Sequence, residues 1–143
     1  MVEESRLVAE SLMFAVDSDP LLDAIGYSLN LSEALELVEV YEPDTVIAGW
    51  NVDDAVQLEL CARIHELSPH VRLIGLRRRL VPQEVEALYA AGAADCLAWS
   101  CSADELLYAI DSANARQIVY EKARREAERR SRLSFMTRLA SNA

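Results

Sequence analysis

Three cysteines, two histidines, two adjacent aspartates and a run of three arginines are the residues of this 143-residue chain that could do chemistry. Cys61, Cys96 and Cys101 are too few and too oddly spaced for a disulfide framework or a CxxC metal site, so they read as structural thiols. His65 and His70 lie near the end of one expected helix, with no carboxylate or cysteine constellation around them. A metal site needs three or four convergent donors, so both histidines read as solvent-side polar residues. Asp53 and Asp54 stand just before an apolar-periodic run, where aspartate caps a helix. Arg77, Arg78 and Arg79 follow an expected strand. A guanidinium cluster there can clamp an anion bidentately, but exposed charge runs are usually solvated, and Arg77 could instead pair internally with Glu3 or Glu4. No nucleophile, base and orienting group fall together, and no glycine-rich phosphate loop appears. The reading is a non-enzyme without cofactor or metal.

The elements that must position these residues alternate. Pro43–Asn51, PDTVIAGWN, is the clearest strand. Pro43 marks its entry, Val46, Ile47 and Ala48 are apolar without alternation as a strand covered on both faces requires, and Gly49 closes it. In an open α/β sheet, chemistry usually sits at the carboxyl end of such a strand, and a glycine has no side chain to do any. Before it, residues 1–16 predict a helix with Leu7, Val8, Leu12 and Ala15 on its apolar face. Residues 21–29 predict a short strand around Ala24 and Ile25, and a helix capped by Ser32 turns Ala34, Leu35, Leu37 and Val38 inward. After the central strand comes a helix to about Leu67 with Val56, Leu60 and Ile64 inward, ended by Ser68 and Pro69. A strand over residues 71–76 follows, then a helix opened by Pro82 with Val85, Leu88 and Tyr89 inward and ended by Gly92. A strand over residues 94–99 leads to a last helix with the capping box Ser102 to Glu105, carrying Leu106, Leu107 and Ile110. This alternation predicts a three-layer, doubly wound α/β fold with a parallel sheet.

Composition sets the limits. The chain carries a net charge of −10 and is 52% hydrophobic, which argues against disorder. It has no membrane-length apolar run and no basic-then-apolar leader, which points to the cytoplasm. Residues 1–114 hold 21 acids and 6 bases, a charge of −15, whereas residues 115–143 hold 3 acids and 8 bases, a charge of +5. The expected organisation is therefore an acidic body, 1–114, and a basic helical extension, 115–143, that prolongs the last helix. Its apolar residues, Ile118, Val119, Ala123, Ala127, Leu133, Phe135, Met136 and Leu139, are too sparse for a second core.

PDTVIAGWN, the strand VRLIGLR after a Ser-Pro helix end, and above all AAGAADCLAWSCSADELLYAI resemble the receiver domain of bacterial two-component response regulators, especially those joined to a helix-turn-helix domain. The resemblance runs from Val2 to Ala113 and implies a flavodoxin-like sheet; no hydrophobic strand precedes Glu3 and Glu4, so either the fold lacks its first strand or the start of the chain is misplaced or trimmed. The family's acidic, magnesium-holding pair would fall on Glu3 and Glu4. Its phosphate-accepting aspartate would fall on Gly49, its hydroxyl sensor on Arg77 and its lysine on Trp99. Aspartyl phosphorylation needs a carboxylate nucleophile and magnesium, so the resemblance implies a degenerate pseudo-receiver. Asp53 or Asp54 could replace the lost aspartate, with capping the simpler role, and Trp99 could pack over the former site or anchor a partner.

The expected function is a phosphorylation-independent signalling module that binds a protein partner, or a second copy, through Trp99, Leu106, Leu107, Tyr108 and Ile110. Two alternatives stand beside it. One is the receiver part of a transcription regulator, with weak nucleic-acid contact through the basic tail. The other is an anion or small-molecule sensor at the carboxyl edge of the sheet. A missing inner strand also predicts unpaired neighbours, and hence oligomerisation or marginal stability.

Overall fold

Three strands, β1 (Thr45–Ala48), β2 (Arg72–Arg77) and β3 (Asp95–Ala98), pair in parallel in the order β1-β2-β3 in the computed structural model. The structure describes the backbone of residues 1–49 and 51–141, and the side chains of these outside 114–124 and 139–141. Ile47 lies opposite Ile74, and Gly75 opposite Cys96. Five helices flank the sheet: α1 (Arg6–Asp17), α2 (Leu31–Tyr41), α3 (Asp54–Leu67), α4 (Pro82–Ala90) and α5 (Ala103–Ser141).

Alternating side chains of each strand point to opposite faces, and both faces are covered. Val46, Ala48 and Leu73 pack with Ala34 and Val38 of α2, Leu60 and Ile64 of α3 and Leu88 of α4. Ile47, Ile74 and Leu76 pack with Leu12 and Val16 of α1 and with Leu106, Ala109, Ile110 and Ala113 of α5. This is the expected three-layer α/β fold. Gly75 permits one close approach, because a Cβ there would lie 2.6 Å from Leu88 Cδ2. The missing side chain lets fully buried Leu88 settle onto β2.

No regular first strand forms, but its place is not empty. Val2 makes isolated parallel bridges to both Ser28 and Ala48. Its N–H donates to the Ile47 carbonyl at 2.8 Å, and its carbonyl accepts from the Gly49 N–H at 2.8 Å. On the other side the Ser28 N–H donates to the Met1 carbonyl at 2.8 Å, and the Glu3 N–H to the Ser28 carbonyl at 2.9 Å. One residue thus pairs both neighbours at this level, which corrects the expectation of unpaired edges. On the amino-terminal side of Val2 the gap opens into a cavity of about 590 Å³ lined by Val16, Ile25, Val38, Tyr41 and Val46 among others. The Met1 amine donates to the Gly26 carbonyl at 3.2 Å, and burial lowers its pKa to about 6.

Other expectations are corrected for related reasons. The helix expected from Met1 starts at Arg6, because Met1–Glu3 are drawn into the sheet and Ser5 becomes the cap, accepting from the Val8 N–H at 3.5 Å. Its inward face is Ala9, Leu12 and Val16, leaving Leu7 75% exposed. The strand expected over residues 21–29 does not form beyond the bridge at Ser28, since the chain beside it offers a single residue to pair with. Asn30, not Ser32, caps α2, its Oδ1 accepting from the Glu33 N–H at 2.8 Å. Tyr89 does not face inward: it is 44% exposed and its hydroxyl donates to Asp95 at 3.0 Å.

Asp53 caps α3 through the Ala55 N–H, Pro82 opens α4, and Ser102 caps α5 through the Glu105 N–H. α5 continues without a break to Ser141, and the side chains of residues 125–138 are all exposed. The side chains of Ile118, Val119, Ala123 and Leu139 lie outside the described residues. Among the described residues no helix is long and apolar enough to cross a membrane.

Candidate functional site

The carboxyl ends of β1, β2 and β3 bring Gly49, Arg77 and Trp99 onto one rim, and the turn after Val2 adds Glu3. Glu3 is fully buried. Its Oε1 accepts from the Ser5 N–H at 3.0 Å and its Oε2 from the Asn51 N–H at 3.3 Å. A Cβ at position 49 would lie 1.9 Å from Glu3 Oε2 and 2.8 Å from Glu3 Cδ. The Glu3 carboxylate therefore fills the space where a side chain on residue 49 would begin. Glu4, its sequence neighbour, faces solvent.

Arg77 does not reach Glu3 or Glu4, contrary to the pairing considered from sequence. Its guanidinium, 3% exposed, turns instead to the helix starts: Nη1 lies 3.0 Å from Asp54 Oδ1 and 3.8 Å from Glu84 Oε2. Nε and Nη2 are buried without a hydrogen-bond partner among the described residues. Arg78 projects outward and donates to Asn51 Oδ1 at 2.9 Å. Trp99 is 58% exposed, which does not fit a ring packed over the rim.

The carboxylates of the rim are already engaged and do not converge as ligands for a divalent cation. Both Glu3 oxygens already accept backbone N–H groups, Asp54 is engaged by Arg77, and a buried guanidinium adds a positive charge to the rim. Hard cations take several converging oxygens, and among the described residues no group of three or more His, Cys, Asp or Glu could hold a metal.

Gln57 is a structural part of the rim that sequence reasoning missed. It is fully buried, and its Nε2 donates to the carbonyls of Gly49 and Leu76 at 3.0 Å each and of Ala48 at 3.4 Å, pinning the ends of β1 and β2 together. The signal was available, since position 57 falls in phase with Leu60, Cys61 and Ile64 on the inner face of α3.

The expected partner surface divides. Leu106 and Ile110 are 2% and 4% exposed and belong to the core, so they cannot contribute to a surface. The inward phase of α5 claims them. Tyr108 is 76% exposed, and Leu107 is half-buried.

The thiols take no part in the rim. Burial pushes Cys61 up to about 11, with its Sγ 3.5 Å from the Ala91 carbonyl. Burial also raises Cys96, against the opposing charge of Arg77, and it raises Cys101. Because the thiolate is the reactive form, the folded chain at pH 8 is expected to react with a thiol reagent such as DTNB first at half-buried Cys101. Cys61 and Cys96 should follow only at the rate of unfolding, as mass spectrometry of quenched time points would show.

No protein-family model matches the chain, and no curated protein sequence does. Solved structures do. The signal receiver domain of a Luxo repressor protein from Vibrio parahaemolyticus is 20% identical, with a TM-score of 0.74 over 85% of this chain and 92% of that chain. The receiver domain of the response regulator NarL from Mycobacterium tuberculosis is 18% identical, with a TM-score of 0.73 over 80% and 92%. A DNA-binding response regulator of the LuxR family from Staphylococcus aureus is 18% identical, with a TM-score of 0.71 over 79% and 95%. The fold of this chain is similar to that of response-regulator receiver domains.

Proposed function

We propose that this chain is a non-enzymatic, phosphorylation-independent receiver module that signals through protein contacts. The observation that carries the reading is the Glu3 carboxylate in the space over Gly49. A receiver responds when a negative group arrives at the end of the central strand. Here a carboxyl group is built in at that place, held by two backbone N–H groups, and no carboxylate nucleophile stands on β1 to accept a phosphoryl group. Arg77 and Trp99 replace the residues that would sense it. The rim is thus fixed in one arrangement, and Trp99, Tyr108 and Leu107 form the face offered to a protein partner.

The test is incubation with acetyl phosphate and magnesium, followed by intact-mass analysis and hydroxylamine treatment. The expected result is no hydroxylamine-labile phosphoryl adduct. A labile adduct mapped to Asp53 or Asp54 would overturn the reading, because a neighbouring aspartate would then have taken over the lost role.

A further inference from the structure

Two exposed helix faces in this fold match each other in pattern and oppose each other in charge. On the far part of α5, helical spacing places Arg125, Arg129, Arg132 and Met136 along one line, with Leu133 and Phe135 on its flanks. Leu133, Phe135 and Met136 are 54%, 62% and 63% exposed. On α1, Leu7, Glu10, Phe14 and Asp17 follow the same spacing along the outer face. Leu7 and Phe14 are 75% and 80% exposed, and Leu21, just beyond the helix, is 87% exposed. One face is basic and apolar, the other acidic and apolar.

We propose that the outer face of α1 is the docking site for the residue 125–136 segment of α5 from a second copy of this chain. Charge favours the pairing, since the body carries −15 and the extension +5. Geometry excludes the same contact within one chain. Ala113 is the last described core residue of α5, and the helix runs on without a break. At a rise of about 1.5 Å per residue, Arg129 to Met136 stand roughly 24–35 Å beyond it. A continuous helix that leaves its own body cannot fold back onto its own α1. Two copies exchanging these segments satisfy both faces reciprocally, the arrangement of a closed two-fold dimer.

Nucleic acid is the weaker occupant for the basic stripe. Glu126 and Glu128 interleave with the arginines, and the acidic body repels phosphates. Association is read without any phosphoryl group, so the outcome here leaves the phosphorylation reading untouched.

Sedimentation equilibrium of the full chain tests the proposal, with circular dichroism of each variant as a check on folding. The expected result is a dimer whose dissociation constant rises with salt. Phe14→Glu, at an exposed position, should weaken it about tenfold or more, and so should the pair Arg129→Glu with Arg132→Glu. Adding Glu10→Arg and Asp17→Arg to that arginine pair should restore dimerisation by reversing the charges on both sides. A chain that stays monomeric at every salt concentration overturns the proposal. A dimer indifferent to Phe14→Glu overturns it as well, since the extension would then be pairing with its own kind, and so does failure of the charge swap to restore association. Binding of labelled duplex DNA by a monomeric chain would reassign the stripe to nucleic acid.

Discussion

Replacing Gly49 with alanine is expected to lower the stability of the folded chain by about 2–4 kcal/mol, even though the new methyl group is the smallest side chain available. The added Cβ would fall 1.9 Å from Glu3 Oε2, so the carboxylate must leave. Doing so strips the Ser5 and Asn51 N–H groups of their acceptor, in a place where Glu3 has no exposure to solvent. Glu3→Ala alone loses the same two hydrogen bonds but vacates the space. Gly49→Ala added to Glu3→Ala should therefore cost little more, and a double-mutant cycle by urea denaturation should show a coupling of about 1–3 kcal/mol. Gly49→Asp carries the idea further. A carboxyl group introduced at the end of a strand buried on both faces favours its protonated form, so the folded state holds a proton that the unfolded chain releases. Its stability must then fall as pH rises, and the variant should be closer to the parent at pH 5 than at pH 8. A Gly49→Ala variant as stable as the parent would mean that the carboxylate is not held over the strand end.

Arg77 should show the opposite asymmetry, with the partner mattering more than the charge itself. Its guanidinium is 3% exposed and makes one close ion pair, while two of its nitrogens lack partners among the described residues. Removing one member of a buried pair commonly costs 3–5 kcal/mol, but Asp54 is 57% exposed and water screens it. Asp54→Ala is accordingly expected to cost about 1–2 kcal/mol, with Glu84 at 3.8 Å offsetting part of the loss. Arg77→Met keeps most of the buried stem and removes the desolvated cation with its unmet donors. It should be neutral within about 1 kcal/mol, or mildly stabilising. Thermal and urea unfolding of the two variants decide the matter. A Met variant that loses more than the Ala variant would make Arg77 a structural tie instead of a tolerated charge.

The fold was legible because it rests on local pattern. Val46–Ala48 and Leu73–Leu76 read as strands buried on both faces, Pro82, Gly92 and Ser102 punctuated the helices, and the inner faces of α3 and α5 followed helical phase. The errors fall where pairing is not local. The helix start at Arg6 and the failed strand over residues 21–29 both follow from Val2 bridging Ser28 and Ala48, and no spacing within either segment encodes that contact. Leu106 and Ile110 are expected on a partner surface of the last helix, and the structure buries them instead. Their burial against Ile74 and Leu76 depends on which sheet face α5 covers.

For the rim, the sequence alone determined which residues end the strands: a glycine without a side chain on the central strand, an arginine on the next and a tryptophan after the last. Residue identities are enough for that, because a glycine cannot be a nucleophile in any fold. Only the tertiary structure decided what stands in the vacated place. Glu3 lies 46 residues from Gly49 in the chain, and its carboxylate reaches the strand end because Val2 is hydrogen-bonded to Ile47 and Gly49 and the following turn aims the side chain inward. Arg77 turned to Asp54 and Glu84 for the same kind of reason, since those carboxylates lie at the starts of the two helices that pack beside its strand. Chemistry lost can be read from single positions. Chemistry substituted depends on which distant side chain the packing brings within reach.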